Sequence, residues 1–84
     1  MYDYIIVCRS LTYAQKGAKA LNKVGFRANI IRTPSEIARE GCGYSIILRH
    51  GNIDSAVSML NAVGIQPKRA YEYTNNVIGE EVLL

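Results

Sequence analysis

Leu21-Asn22-Lys23-Val24-Gly25-Phe26 recurs as Leu60-Asn61-Ala62-Val63-Gly64-Ile65, and no other feature restricts the fold of this chain as strongly. The offset that aligns the two hexapeptides also brings the apolar run Tyr4–Cys8 onto the run that contains Ile46 and Ile47. Each hexapeptide closes a stretch with helical spacing: Leu11, Ala14, Ala18, Leu21 and Val24 in the first copy, and Ile53, Val57, Leu60 and Val63 with Ala56 alongside in the second. The runs ahead of them are short, continuous and rich in β-branched residues, as strands covered on both faces are. Arg27 to Arg32 follows the first helix as a strand. Lys68 to Tyr73 follows the second, alternating Ala70 and Glu72 against Tyr71 and Tyr73 like an edge strand with one wet face. The order β-α-β-β-α-β predicts an α+β ferredoxin-like sandwich: a four-stranded antiparallel sheet, order 4-1-3-2, with two long helices on one face. An open sheet with helices on both faces is the runner-up, and two long helices are few for it.

Local signals agree with this division. Ser10 or Thr12 can cap the first helix and Asn52 the second, while Gly25 and Gly64 end them by accepting a left-handed backbone. Thr33-Pro34-Ser35-Glu36 reads as a capping box with proline at the first helical position. It predicts a short helix to about Glu40, stopped by Gly41 ahead of strand three. Residues 1–74 form the expected single domain. In 75–84, Asn75-Asn76 suggests a turn, and Val82-Leu83-Leu84 reads as a fifth strand, an arm on a partner subunit or a disordered end.

Eighty-four residues leave no room for a second core, and an apolar share of 49% suits one globular core. No apolar run approaches the roughly 18 residues that cross a bilayer, and Met1-Tyr2-Asp3 does not begin a signal peptide, so a cytoplasmic protein with no membrane role is expected. Two cysteines in that setting point to reduced thiols rather than a disulfide scaffold. Cys8, Cys42 and His50 are too few for a closed zinc site, and no cofactor is expected. The net charge of +3 is spread along the chain and weakly favours an anionic partner.

In the expected topology the ends of strands one and two and the starts of strands three and four share one rim. That rim collects Cys8, Arg9, Ser10, Arg32, Thr33, Pro34, Arg39, Cys42, Gly43, Lys68 and Arg69. Cys42 stands between two glycines, where a sharp turn can leave a sulfur open, and it is the candidate working thiol. Basic neighbours and the first helix's N-terminus favour its thiolate, whereas the end of the short helix opposes it. Gly43, Ser10, Arg32, Thr33, Pro34 and Arg39 are the expected binding residues around it. Cys8 ends a buried strand and reads as a small core residue, although a transient Cys8–Cys42 disulfide stays open. His50 falls at the other end of the sheet, too far for a Cys42–His50 dyad.

Ser10, Ala14 and Leu21, then Thr33-Pro34 with Glu36-Ile37, and above all Cys42-Gly43 make the stretch of about residues 4 to 73 resemble the selenium/sulfur carrier protein-like family of small bacterial domains. The resemblance implies a carrier rather than an independent enzyme. Cys42 would hold a sulfur or selenium atom as a persulfide-type adduct, fed by a cysteine desulfurase-like donor and passed to an acceptor protein. Two other classes stand beside it. A dimeric binding or regulatory module would use the sheet face that the two helices leave open, and on that ground a homo-oligomer is expected. Single-stranded RNA binding would need stacking aromatics where Ile46-Ile47 stand, with only Tyr44 nearby, so nucleic acid is a poor fit.

Overall fold

The computed structural model describes residues 3–38 and 43–84. Its elements are β1 (Asp3–Val7), α1 (Leu11–Lys23), β2 (Arg27–Arg32), β3 (Tyr44–Arg49), α2 (Ile53–Ala62), β4 (Arg69–Thr74) and β5 (Val77–Val82). The strands make one antiparallel sheet in the order β2-β3-β1-β4-β5. The four-stranded sheet expected from the repeat is therefore incorrect. A fifth strand pairs outside β4, so β4 is an interior strand and β5 the edge. Asn75 and Asn76 both hold positive φ (50° and 62°), as a two-residue type I′ hairpin requires, and its twist carries the chain back along β4.

The repeated hexapeptide owes its recurrence to helix termination. At the end of α1 the Phe26 N–H donates to the Leu21 carbonyl and the Gly25 N–H to the Asn22 carbonyl; at the end of α2, Ile65 and Gly64 donate to Leu60 and Asn61 in the same way. Both are Schellman closures, and Gly25 (φ 100°) and Gly64 (φ 80°) supply the left-handed residue they need. Of the two caps open to α1, Ser10 is used, and Asn52 caps α2. The buried stripe of α1 is Ala14, Gly17, Ala18 and Leu21, while Leu11 and Val24, expected on the inner face, are exposed. Gly17 lets α1 approach closely: a Cβ there would stand 2.9 Å from Leu60 Cδ2 and 3.0 Å from Ile46 Cδ1. Among the described residues no helix is long and apolar enough to cross a membrane.

The sheet separates two apolar clusters. Ile6, Ile46, Leu48 and Ala70 meet both helices through Leu21 and Leu60 on one side. On the other side Ile5, Val7, Ile47 and Tyr71 pack under Ile37. The segment that brings Ile37 there is not the short helix that the capping box predicts. Over 33–38 the chain makes two turns, with Ile37 N–H to the Pro34 carbonyl at 3.0 Å and Ala38 N–H to the Ser35 carbonyl at 3.4 Å. Thr33 cannot cap a helix because it belongs to the sheet end: its N–H donates to the Gly43 carbonyl (2.9 Å), and its hydroxyl pairs with Ser45 Oγ (2.7 Å). On this face Ile5, Val7, Ile47 and Tyr71 are buried within the chain, while Ile31, Tyr73 and Ile78 at its margins are only partly buried.

Candidate functional site

Three backbone hydrogen bonds stitch the rim together: Lys68 N–H to the Val7 carbonyl (2.9 Å), Cys8 N–H to the Tyr44 carbonyl (3.0 Å) and Thr33 N–H to the Gly43 carbonyl (2.9 Å). They bring Thr33, Gly43, Cys8, Lys68 and Arg69 to the same end of four neighbouring strands. Ser10 follows within two residues of Cys8, and its hydroxyl accepts the Tyr13 N–H as a helix cap (3.4 Å). Pro34 is half-buried at the start of the turn segment, and Arg32 is exposed at the end of β2. Cys42 and Arg39 lie outside the described residues, as do Glu40 and Gly41, the expected end of the short helix.

The two hydroxyls beside Gly43 are buried, Thr33 at 7% exposure and Ser45 at 0%. They satisfy one another at 2.7 Å, and Thr33 Oγ1 would stand 3.4 Å from a Cβ on Gly43. Ser45 escaped the sequence reading, although a lone serine in Tyr44-Ser45-Ile46-Ile47-Leu48 was the available signal. Arg69, expected on the rim, takes a specific place there: its Nη1 donates to the Ile37 carbonyl (2.8 Å) and to the Tyr71 hydroxyl (2.9 Å), tying the turn segment to β4 on the face opposite the helices. A small cleft of about 130 Å³ opens on the helical side of the rim, lined by Arg9, Tyr13 and Gln66.

Cys8 is a core thiol. It is 3% exposed, donates to the Ile6 carbonyl at 3.7 Å, and its pKa is pushed up to about 11 by burial. A thiol so placed stays protonated near neutrality and offers almost no surface to an incoming donor. His50 lies at the opposite end of β3 from Gly43, beside Asp3. Asp3 accepts the His50 N–H (3.0 Å) and pairs with Arg49 (3.0 Å), which together hold its carboxyl below the usual value. Tyr44, the residue on which a base would stack, packs with the helix-side core instead. Among the described residues no three of His, Cys, Asp and Glu are grouped as metal ligands would be.

The family model described as Putative Se/S carrier protein-like matches residues 3–72. The chain belongs to that family. No curated protein and no solved structure matches it. The matched span runs from the start of β1 into β4 and includes Cys42 and the whole rim, whereas β5 lies beyond it.

Proposed function

We propose that this family member carries sulfur or selenium as an adduct on Cys42 and delivers it to an acceptor protein. One observation carries the reading: of the two cysteines, Cys8 is sealed in the core with its thiol pushed up to about 11, so a thiol carrier in this chain must use Cys42. The residue lies within the matched span and directly precedes Gly43 of the rim.

The step is a thiol–persulfide exchange. The Cys42 thiolate attacks the terminal sulfur of a donor persulfide, such as the one a cysteine desulfurase-like enzyme carries. The donor S–S bond breaks, the donor cysteine leaves as thiolate, and Cys42 retains the terminal sulfur in a new persulfide. An acceptor nucleophile then attacks that terminal sulfur and releases Cys42 as thiolate, so no outside oxidant or reductant enters. The selenium version differs only in the atom moved. Arg9, Lys68 and Arg69 give the rim positive charge that favours the anionic forms on both sides of the exchange.

Incubation of the full chain with a cysteine desulfurase and cysteine, followed by mass spectrometry of its peptides, tests this. One added sulfur on the Cys42 peptide is expected, abolished in Cys42→Ser and kept in Cys8→Ala. A Cys42 peptide that stays unmodified while the desulfurase turns over would overturn the carrier role.

A further inference from the structure

At the end of the sheet away from Gly43, Arg27 on β2 and Arg49 on β3 are register partners. Residues directly opposed across an antiparallel pair hold their Cβ atoms about 4.5–5.5 Å apart, and like charges there repel. Asp3 is the only carboxylate paired with this cluster among the described residues. One of its oxygens takes the Arg49 guanidinium at 3.0 Å; the other takes the His50 N–H at 3.0 Å and lies 3.9 Å from His50 Nδ1. Both oxygens are thereby occupied, and among the described residues no carboxylate pairs with Arg27. The cluster carries a surplus of one positive charge, or two when His50 is protonated.

Arg27, Arg49 and His50 line one cleft of about 350 Å³, together with Val24 and Phe26. That volume lies in the range of small-molecule sites, about 300–1,000 Å³. Two arginines in register that line one cleft can offer guanidinium N–H donors to the oxygens of a phosphate, Arg27 in full and Arg49 through the donors that Asp3 leaves. Val24 and Phe26 add an apolar wall that a bare ion would not use. Asp54, the acid in the first turn of α2, lines the adjoining cleft, which shares Val24 and Phe26 with this one but neither arginine. β3 separates this place from Gly43 by the length of a six-residue strand, about 20 Å at 3.3 Å per residue, so it is distinct from the rim.

We propose that this cleft binds a small organic phosphate monoester, its phosphate between Arg27 and Arg49 and its carbon part against Phe26. The ligand supplies the negative charge that the opposed arginines lack. The site is independent of the carrier reading, since none of its residues belongs to the rim.

Titration of the isotopically labelled full chain with phenyl phosphate, inorganic phosphate and phenol at constant ionic strength, followed by NMR, tests the assignment. Saturable shifts are expected at residues 25–27 and 49–52 with phenyl phosphate, weaker with inorganic phosphate and absent with phenol. Arg27→Gln should weaken binding by about tenfold or more, the effect of losing a charged hydrogen-bonding partner. The same variant should melt no lower than the parent in phosphate-free buffer, because the repulsion is relieved, and should gain little on adding phenyl phosphate. Unsaturable shifts shared with Arg9 and Lys68, undiminished affinity in Arg27→Gln, or a lower melting temperature of that variant without ligand would each overturn the site. Equal affinity for inorganic phosphate would overturn the assignment of an ester.

Discussion

Cys8 shows how one position decides the chemistry of another. Its thiol sits at the end of β1 among Ala14, Ala18 and Ile46, where charge would face an apolar surround. Burial raises its pKa from the ordinary 9.0 to about 11, so the folded state favours the neutral thiol more strongly than the unfolded chain does. By linkage, this contribution to stability is fully present below the unfolded value and is lost as pH rises through the folded one. Stability of the parent should therefore fall more steeply than that of Cys8→Ala between about pH 9 and pH 11, which urea unfolding at stepped pH would measure. The same burial predicts that a thiol reagent at pH 8 labels Cys42 in the native chain and reaches Cys8 only after unfolding. Equal native labelling of both would place Cys8 in contact with solvent and remove the ground for assigning the carrier to Cys42.

Among the elements, the two halves of the repeat diverge through an asparagine. Asn22 and Asn61 occupy matching places, yet only the Asn22 side chain bridges to a strand, donating to the Ala28 carbonyl and accepting the Ala28 N–H, both at 2.9 Å. Ala28 lies on β2, whose outer side has no neighbouring strand among the described residues, and Asn22 satisfies backbone groups that a further strand would otherwise pair. Asn22→Ala should cost about 1–2 kcal/mol by leaving both groups without that partner. Asn61→Ala, whose side chain makes no hydrogen bond among the described residues, should stay within about 0.5 kcal/mol of the parent in urea unfolding. Comparable losses in the two variants would show that Asn22 acts through the helix end and not through β2. The helix ends and the rim were legible because Leu-Asn-x-Val-Gly closures and apolar runs are local patterns. The turns over 33–38 were not, because Thr33-Pro34-Ser35-Glu36 carries a strong local capping signal that is overruled by the pairing of Thr33 with Gly43 and Ser45, residues distant in sequence. The place of Gly43 at the rim was legible from its position just ahead of strand three, whereas the burial of Ser45 and the reach of Arg69 to Ile37 depend on which strands lie side by side.

For the whole molecule, β5 is to β4 what Asn22 is to β2, and the sequence symmetry hid this because the repeat ends before it. Among the described residues β4 carries no counterpart of the Asn22 bridge, and its outer backbone groups pair with Val77–Val82. Around Glu72 the register shifts by one residue as Gly79 and Glu80 pass it, so β5 bends along the sheet and brings Val82 to the helix-side core and Ile78 to the opposite cluster. Removal of residues 75–84 would leave the matched family span intact but expose Tyr73, the apolar edges beneath Ile78 and Val82, and a row of unpaired N–H and C=O groups. Burial of two half-covered aliphatic side chains and the lost pairing sum to about 2–4 kcal/mol. A chain ending at Thr74 should thus fold with a urea midpoint clearly below that of the full chain, and should self-associate through β4 in sedimentation velocity where the full chain does so less. Because Thr33 and Gly43 stand at the ends of β2 and β3, separated from β5 by β1 and β4, sulfur loading of the folded fraction should persist. A truncated chain of undiminished stability and unchanged sedimentation would mean that β5 contributes nothing to the sheet it joins. Loss of loading with the fold retained would instead tie the last strand to the transfer step.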